Sequence, residues 1–256
     1  SSAVAADYAS NVAEFNQRPY FRLLSSLLVH LSEPSFGDKL ESLFLSAFAD
    51  LLLDLRPQQC AGFAFAWLEL VSHRLFMPKL IRHPRACFAL QKLLIYHLTF
   101  MEPYLAASKL NEAVFSLYQG TLRVFLVLIH DFPEFLCDFH HSFCDVLPPT
   151  CIQLRNLILS AFPRNVKLPD PALNIKMEQI PASKEAPRVF NIEHAIQEAG
   201  LGERLDAVLK GTADPAPFYA ALPSLLFHKD AQGKATTYNI KLINRSEERR
   251  VGKECR

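Results

Sequence analysis

Cys137, His141 and Cys144 fall at steps of four and three, so a helix would bring a thiol, an imidazole and a second thiol to one face, with His140 and His130 nearby. That is raw material for a zinc site, or for a Cys-His nucleophile using Cys137 or Cys144 with His140 and Asp138. The setting argues against both. Structural zinc draws paired ligands from knuckles or from two elements, no CxxC occurs in the chain, and neither thiol stands in a nucleophile turn. Phe132, Phe135, Leu136, Phe139 and Phe143 share the same spacing, the apolar stripe of a helix opening at Pro133 and packed on a neighbour. No catalytic, metal-binding or cofactor-binding residue is expected, and the chain reads as a scaffold rather than an enzyme.

A second group is polar. Between Gly120 and Asn165 stand Arg123, His130, Asp131, Glu134, Asp138, Arg155, Arg164 and Asn165, a density of charge that would be costly if buried without partners. These residues join helices or contact another chain, and Arg123, Asp131, Arg155 and Arg164 divide between inter-helix ion pairs and recognition of a partner's carboxylates or carbonyls. Pro163 to Pro187 follows with five prolines and no helical period, an extended loop or linker. Within it Leu168, Pro169, Asp170 and Pro171 suit an extended strap. Either the strap is locked over the chain's own helices, with Leu168 and Ile175 as anchors and Arg164 and Asn165 on carbonyls at a helix end, or it meets an extended partner. Trp67, set in FAFAWLEL, reads as core before binding anchor; His73 and Arg74 read as cations at a helix carboxyl end.

Helices must position these groups. The spacing predicts one over Pro19 to Ser32, with Leu23, Leu27, Leu28 and Leu31 on a face. A second opens with an Asp38/Glu41 capping box and buries Leu40, Leu43, Phe44, Ala47, Phe48, Leu51, Leu52 and Leu55. Others run from Phe63 to about Phe76, closed near Pro78, and from about Pro84 to Ala107 with a kink at Pro103. Glu112 to His130, Pro133 to Asp145 and Thr150 to Phe162 follow. After the proline-rich stretch, helices run from an N-cap at Asn191 to Leu209 and from Pro217 to Phe227; HKDAQGK is a polar turn and a last helix begins near Thr236. Pairs starting near Pro19, Phe63 and Glu112 recur at roughly 44 to 49 residues, close to the ~40 to 47 of HEAT repeats, with no residue-level repeat visible. The fold class expected is all-α, a HEAT-like α-solenoid of antiparallel helix pairs, ahead of a compact bundle.

Composition narrows the classes. Half of the 256 residues are hydrophobic, 20 are Phe and only 8 are Gly, enough for a large core and unlike a disordered chain. The uninterrupted apolar run Val124 to Ile129 is far short of a membrane span, and no secretory signal opens the chain, which starts at Ser1 and reads as lacking its natural N-terminus. Arg245 to Arg256, RSEERRVGKECR, breaks from the pattern and matches the translation of a sequencing adapter. Setting aside its five basic and three acidic residues moves the formal net charge from +1 to −1. A dedicated nucleic-acid binder would carry a basic excess. The remaining cysteines, Cys60, Cys87, Cys137, Cys144 and Cys151, are odd in number and scattered, as in reduced proteins of cytosol or nucleus.

Five segments carry a resemblance: FNQRPYFRL at Phe15 to Leu23, FAFAWLEL at Phe63 to Leu70, SHRLFMPKL at Ser72 to Leu80, HDFPEFLCDF at His130 to Phe139 and CIQLRNLILSAFPRN at Cys151 to Asn165. In this order they resemble the C-terminal homology domain of the Not-family scaffold, the largest subunit of the eukaryotic Ccr-Not deadenylase complex. The likeness runs from about Phe15 to Pro171 and weakens beyond. It implies a non-catalytic HEAT-like domain, nuclear and cytoplasmic including mRNA-decay granules. Its implied partners are the Not-box subunits and short peptides of RNA-binding repressors, with RNA reached only indirectly and no membrane. The organisation expected is a helical-repeat portion over 1–162, a proline-rich loop over 163–190, a continuing and truncated helical portion over 191–244, and the foreign tail over 245–256. The competing reading is an RNA-binding helical repeat with a basic concave face.

Overall fold

Proline or a capping side chain opens several helices of the chain, while Pro103 and Pro223 each lie inside one. The computed structural model describes residues 1–31, 37–83, 86–107, 110–164, 196–197, 200–229, 235–240, 242–243 and 246. The chain divides into two compact units, Ser1–Lys167 and Leu168–Arg256.

The first unit holds α1 (Ser2–Ser10), α2 (Arg18–Leu31), α3 (Gly37–Asp54), a 3-10 turn (Ala61–Phe63), α4 (Ala64–Val71), α5 (Met77–Arg82), α6 (Cys87–Ala106), α7 (Glu112–Asp131), α8 (Pro133–Val146) and α9 (Ile152–Leu159). They form two layers. In one, α2 lies against α4, α4 against α7 and α7 against α9; in the other, α3 lies against α6 and α6 against α8, with α5 on α6. Cross-layer packing of α4 on α6, α6 on α7, α7 on α8 and α8 on α9 closes the core between them. This is the stacking of an α-solenoid. Its centre is Trp67, Phe63, Phe76, Phe125, Phe139 and Phe143, all at most 2% exposed. Phe125 meets Phe143 edge-on at 5.6 Å across the layers.

Local chemistry explains the boundaries. The Asn111 side chain accepts from the Val114 N–H at 2.8 Å and opens α7, and Pro133 in the first turn opens α8. Gln17 reaches across 49 residues to accept from the Ala66 N–H at 3.0 Å, which finishes the amino end of α4. Gly62 sits where Tyr8 and Phe15 close over the chain, since a Cβ there would stand 2.8 Å from the Tyr8 ring.

Several sequence expectations are corrected. The helix expected over Phe63 to Phe76 is two: α4 stops at Val71, where the Ser72 hydroxyl donates back to the Leu68 carbonyl at 2.8 Å, and Pro78 starts α5 rather than closing its predecessor. Glu41, expected in a capping box, pairs its carboxylate with Lys79 of α5; the side chain of Asp38 lies outside the described residues. Leu40 and Leu43, expected in the core, are 47% and 67% exposed, whereas Phe48 and Leu52 of α3 and Leu55 just past its end are buried as expected, joined by Leu45 and Ala49. On α2, Leu24 and Leu28 are buried, while Leu23 and Leu27 face outward. The last helix of the unit is shorter than Thr150 to Phe162, and the short helix α1 carried too weak a period to be read.

By length and composition Glu112–Asp131 is apolar enough to cross a membrane, a property the short run Val124 to Ile129 did not reveal. Here it packs on α4, α6, α8 and α9, with Leu117, Tyr118, Thr121, Val124, Phe125 and Leu128 buried.

The second unit contains α10 (Gly202–Leu209) and α11 (Pro215–Leu226), followed by a two-stranded antiparallel hairpin, Phe227–Lys229 with Ala235–Tyr238. Ile196, Leu201, Phe218 and Leu242 form its core. Gly200 and Gly211, at φ +67° and +68°, supply left-handed turns before and after α10, and Asp214 caps α11 by accepting from the Ala216 N–H at 3.1 Å. The helix expected near Thr236 and part of the expected polar turn are this hairpin; Thr236, Thr237 and Tyr238 suit a strand, and Phe227 stacks on Tyr238 at 4.2 Å. Asn191, Asn165, Leu168, Pro169, Asp170, Pro171 and, apart from Ser246, the tail from Arg245 lie outside the described residues.

Candidate functional site

The polar residues singled out in the sequence separate into three settings. Arg155 on α9 turns inward: its Nη1 donates to the Cys144 carbonyl at 2.7 Å and the Leu147 carbonyl at 3.3 Å, so it covers the carboxyl end of α8. Arg164 does the same for α7. Its guanidinium donates to the His130 carbonyl, and its backbone N–H donates to Glu134 Oε1 at 3.0 Å. Trp67 completes the set, its indole N–H donating 2.7 Å to the Leu52 carbonyl in the last turn of α3. Three helix ends are thus covered by side chains from later in the chain, and the acceptors are backbone carbonyls rather than carboxylates.

His130 and Asp131 form the second setting. Their side chains pair at 2.7 Å on the surface where α7 ends, 85% and 51% exposed. Among the described residues the two side chains make no other hydrogen bond or ion pair. It is a polar feature open to solvent beside the Arg164 clasp.

Arg123 occupies the third. It stands on the exposed side of α7, where α4 and α7 flank a groove of about 430 Å³. Leu68, Met77, Leu117 and Val124 line its buried side, and Phe65 and Val127, 40% and 42% exposed, form its lips. Glu69 stands on the α4 wall and Arg123 on the α7 wall, and neither takes an ion-pair partner among the described residues. Gly120 keeps the helices close there, since a Cβ would lie 3.3 Å from Leu68 Cδ2. Sequence reading missed the groove's α4 wall, because the exposure of Phe65 among Ala64, Ala66 and Trp67 is visible only once the helices are packed.

The thiol and imidazole groups do not assemble. Among the described residues no three His, Cys, Asp or Glu side chains are placed to hold a metal ion. His140 Nδ1 meets the Cys137 carbonyl at 2.7 Å. Burial raises the thiol pKa of Cys60, Cys87 and Cys137 and pushes Cys144 up to about 11, away from the thiolate a nucleophile requires.

A profile of the family described as "CCR4-Not complex component, Not1" matches residues 23–246. The chain belongs to the Not1 family. The "CCR4-NOT transcription complex subunit let-711" of Caenorhabditis elegans is 38% identical over 252 residues, 93% of this chain and 9% of that protein. The "General negative regulator of transcription subunit 1" of Saccharomyces cerevisiae is 38% identical over 203 residues, 73% of this chain and 10% of that protein. The chain therefore spans about a tenth of the length of these Not1 relatives. Among solved structures, the Not1 superfamily homology domain of Chaetomium thermophilum superposes with a TM-score of 0.82 at 29% identity, covering 96% of this chain and 50% of that one. A Not1 C-terminal domain in complex with Not4 superposes with a TM-score of 0.76 at 30% identity, covering 98% and 54%. Membership of the Not1 family and the helical solenoid agree with the expectation from the five sequence segments.

Proposed function

We propose that this chain is a non-catalytic docking domain of the Ccr4-Not scaffold, binding Not-box subunits and short peptides of RNA-binding repressors in support of deadenylation and translational repression. RNA is reached only through these partners, in nucleus and cytoplasm. The observation that carries the reading is the open α4–α7 face, where apolar side chains and two opposite charges remain available after the solenoid has packed. A solved Not1 relative that holds Not4 adds support.

The partner-facing residues in this reading are Arg123, His130 and Asp131, while Arg155 and Arg164 act through the fold. The Arg164 clasp ties down the chain just before Asn165, which supports a strap of Leu168, Pro169, Asp170 and Pro171 locked over the chain's own helices. The family match ends at residue 246, which supports treating the tail as foreign.

Purified chain incubated with Not-box subunits, with RNA and with a polyadenylated substrate tests the reading. Capture of the subunits, without direct RNA retention or shortening of the substrate, is expected. Tight RNA retention without subunit capture would favour the RNA-binding alternative. Substrate shortening that survives repurification would defeat the non-catalytic assignment.

A further inference from the structure

The α4–α7 groove has the dimensions and chemistry of a recognition cleft, and we propose that it receives one amphipathic helical segment of a protein partner, an apolar ridge flanked by a carboxylate beside Arg123 and a cationic side chain beside Glu69. The inference rests on the docking role proposed above and gives that role a place and a chemistry.

Its length points to a helix. Phe65, Leu68, Glu69 and Ser72 follow one another along α4 at helical steps, as do Ser116, Gly120, Arg123 and Val127 along α7. At 1.5 Å per residue the α4 wall runs about 10 Å and the α7 wall about 16 Å. Walls of that length suit side chains at i, i+4 and i+7 of a docked helix. A volume of about 430 Å³ accommodates the anchoring face of such a helix and leaves its backbone outside. Four of the groove's lining residues are polar, Glu69, Ser72, Ser116 and Arg123, beside the apolar Leu68, Met77, Leu117 and Val124. The Ser72 hydroxyl is committed to the Leu68 carbonyl, so the groups that an apolar ridge must leave paired are the two charges, Glu69 and Arg123, and the Ser116 hydroxyl.

The charges then define the occupant. A polyanion would meet Glu69, and a uniformly basic segment would meet Arg123. Only a segment carrying both signs, one on each flank, complements both walls. Because reversing a helix in the trough exchanges its flanks, the two charges also fix the direction in which the segment lies. Phe65 and Val127 at the lips close over the apolar ridge and exclude water around it.

Three labelled helical peptides of about 15 residues test this, each long enough to cover the α7 wall. All carry Leu at i, i+4 and i+7; the flanks are Asp on one side and Arg on the other, Asp on both, or Arg on both. Their affinities for the full chain are compared by fluorescence anisotropy. The mixed peptide is expected to bind at least about tenfold tighter than the others. Arg123→Glu makes both walls acidic and shifts the preference to the all-Arg peptide; Glu69→Lys shifts it to the all-Asp peptide. Val127→Asp weakens the mixed peptide, and Arg22→Glu, an exposed charge change on α2, leaves the order untouched. Circular dichroism melts confirm that these surface variants fold. Equal affinity of the three peptides for the wild-type chain, or an order unmoved by Arg123→Glu and Glu69→Lys, overturns the proposal. Capture of Not-box subunits by the same wild-type chain reports on the docking role itself, so failure of the peptide series with capture intact overturns the cleft alone.

Discussion

His97 on α6 donates from Nε2 to Thr121 Oγ1 on α7 at 2.7 Å, and the Thr121 hydroxyl donates onward to the Leu117 carbonyl at 2.9 Å. With the single hydroxyl proton directed to Leu117, the proton in the His97–Thr121 bond comes from Nε2. Both residues are buried, the ring stacks on Trp67 at 5.9 Å, and Nδ1 meets no hydrogen-bond partner among the described residues. Burial lowers the imidazole pKa from 6.5 to about 4.

A neutral histidine whose folded pKa is depressed contributes its full stabilisation above pH 6.5 and loses it as pH falls toward 4. The whole shift corresponds to about 3 kcal/mol. His97→Leu should melt within a few degrees of the parent at pH 7.5 and lose less stability than the parent between pH 6.5 and pH 4.5. Parallel pH-stability curves for the two proteins would contradict the buried neutral ring.

Arg155→Ala strips donors from the Cys144 and Leu147 carbonyls and should destabilise the chain by about 1–2 kcal/mol, a fall in Tm of about 3–6 °C. Arg155→Lys should recover part of the loss, since one ammonium can still reach a carbonyl. A melt indistinguishable from the parent for Arg155→Ala would return this residue to the list of partner contacts.

Arg164→Ala and Glu134→Ala each remove one half of the clasp at the α7–α8 corner. Each should cost no more than about 1 kcal/mol because the site is exposed, and the double variant should cost less than their sum, since loosening either bond frees the other. Asp170→Ala, combined with Arg164→Ala, carries the question into the strap. Lower Tm with unchanged affinity for Not-box subunits is the expected result; reduced affinity at unchanged Tm would place the strap in direct contact with them.

Cys144, its thiol held up to about 11 mainly by burial and only partly eased by the Arg155 charge, should alkylate far more slowly than free cysteine at pH 8 in the native chain. Denaturant should abolish the protection. Rapid native alkylation at Cys144, mapped by mass spectrometry, would count against the packing of α8 on α9.

Much of this architecture is legible in the residues. Pro133 and Asn111 announce α8 and α7, and the pair starts near Pro19, Phe63 and Glu112 coincide with α2, α4 and α7, the successive helices of one layer. Their lateral neighbours are less so, because periodicity says which face is apolar but not what covers it; this is why Leu40, Leu43, Leu23 and Leu27 were misplaced. Pro78 read as a stop because proline suits either side of a helix boundary. Arg155 and Arg164 resisted assignment for another reason. Their acceptors are main-chain carbonyls, which leave no trace in side-chain identity. The groove needed Leu68 and Gly120 brought together by stacking, and nothing local in either segment encodes that meeting.

The covered helix ends bear on how the chain is made. Leu52, His130 and Cys144 each offer a terminal carbonyl whose donor, on Trp67, Arg164 or Arg155, is translated later. As the polypeptide leaves the ribosome, α3, α7 and α8 emerge with unfinished carboxyl ends, and each is completed only when a downstream residue arrives. Completion of each end therefore waits for one helix or more of further translation, and a nascent chain halted before Arg155 lacks the donors of both α7 and α8.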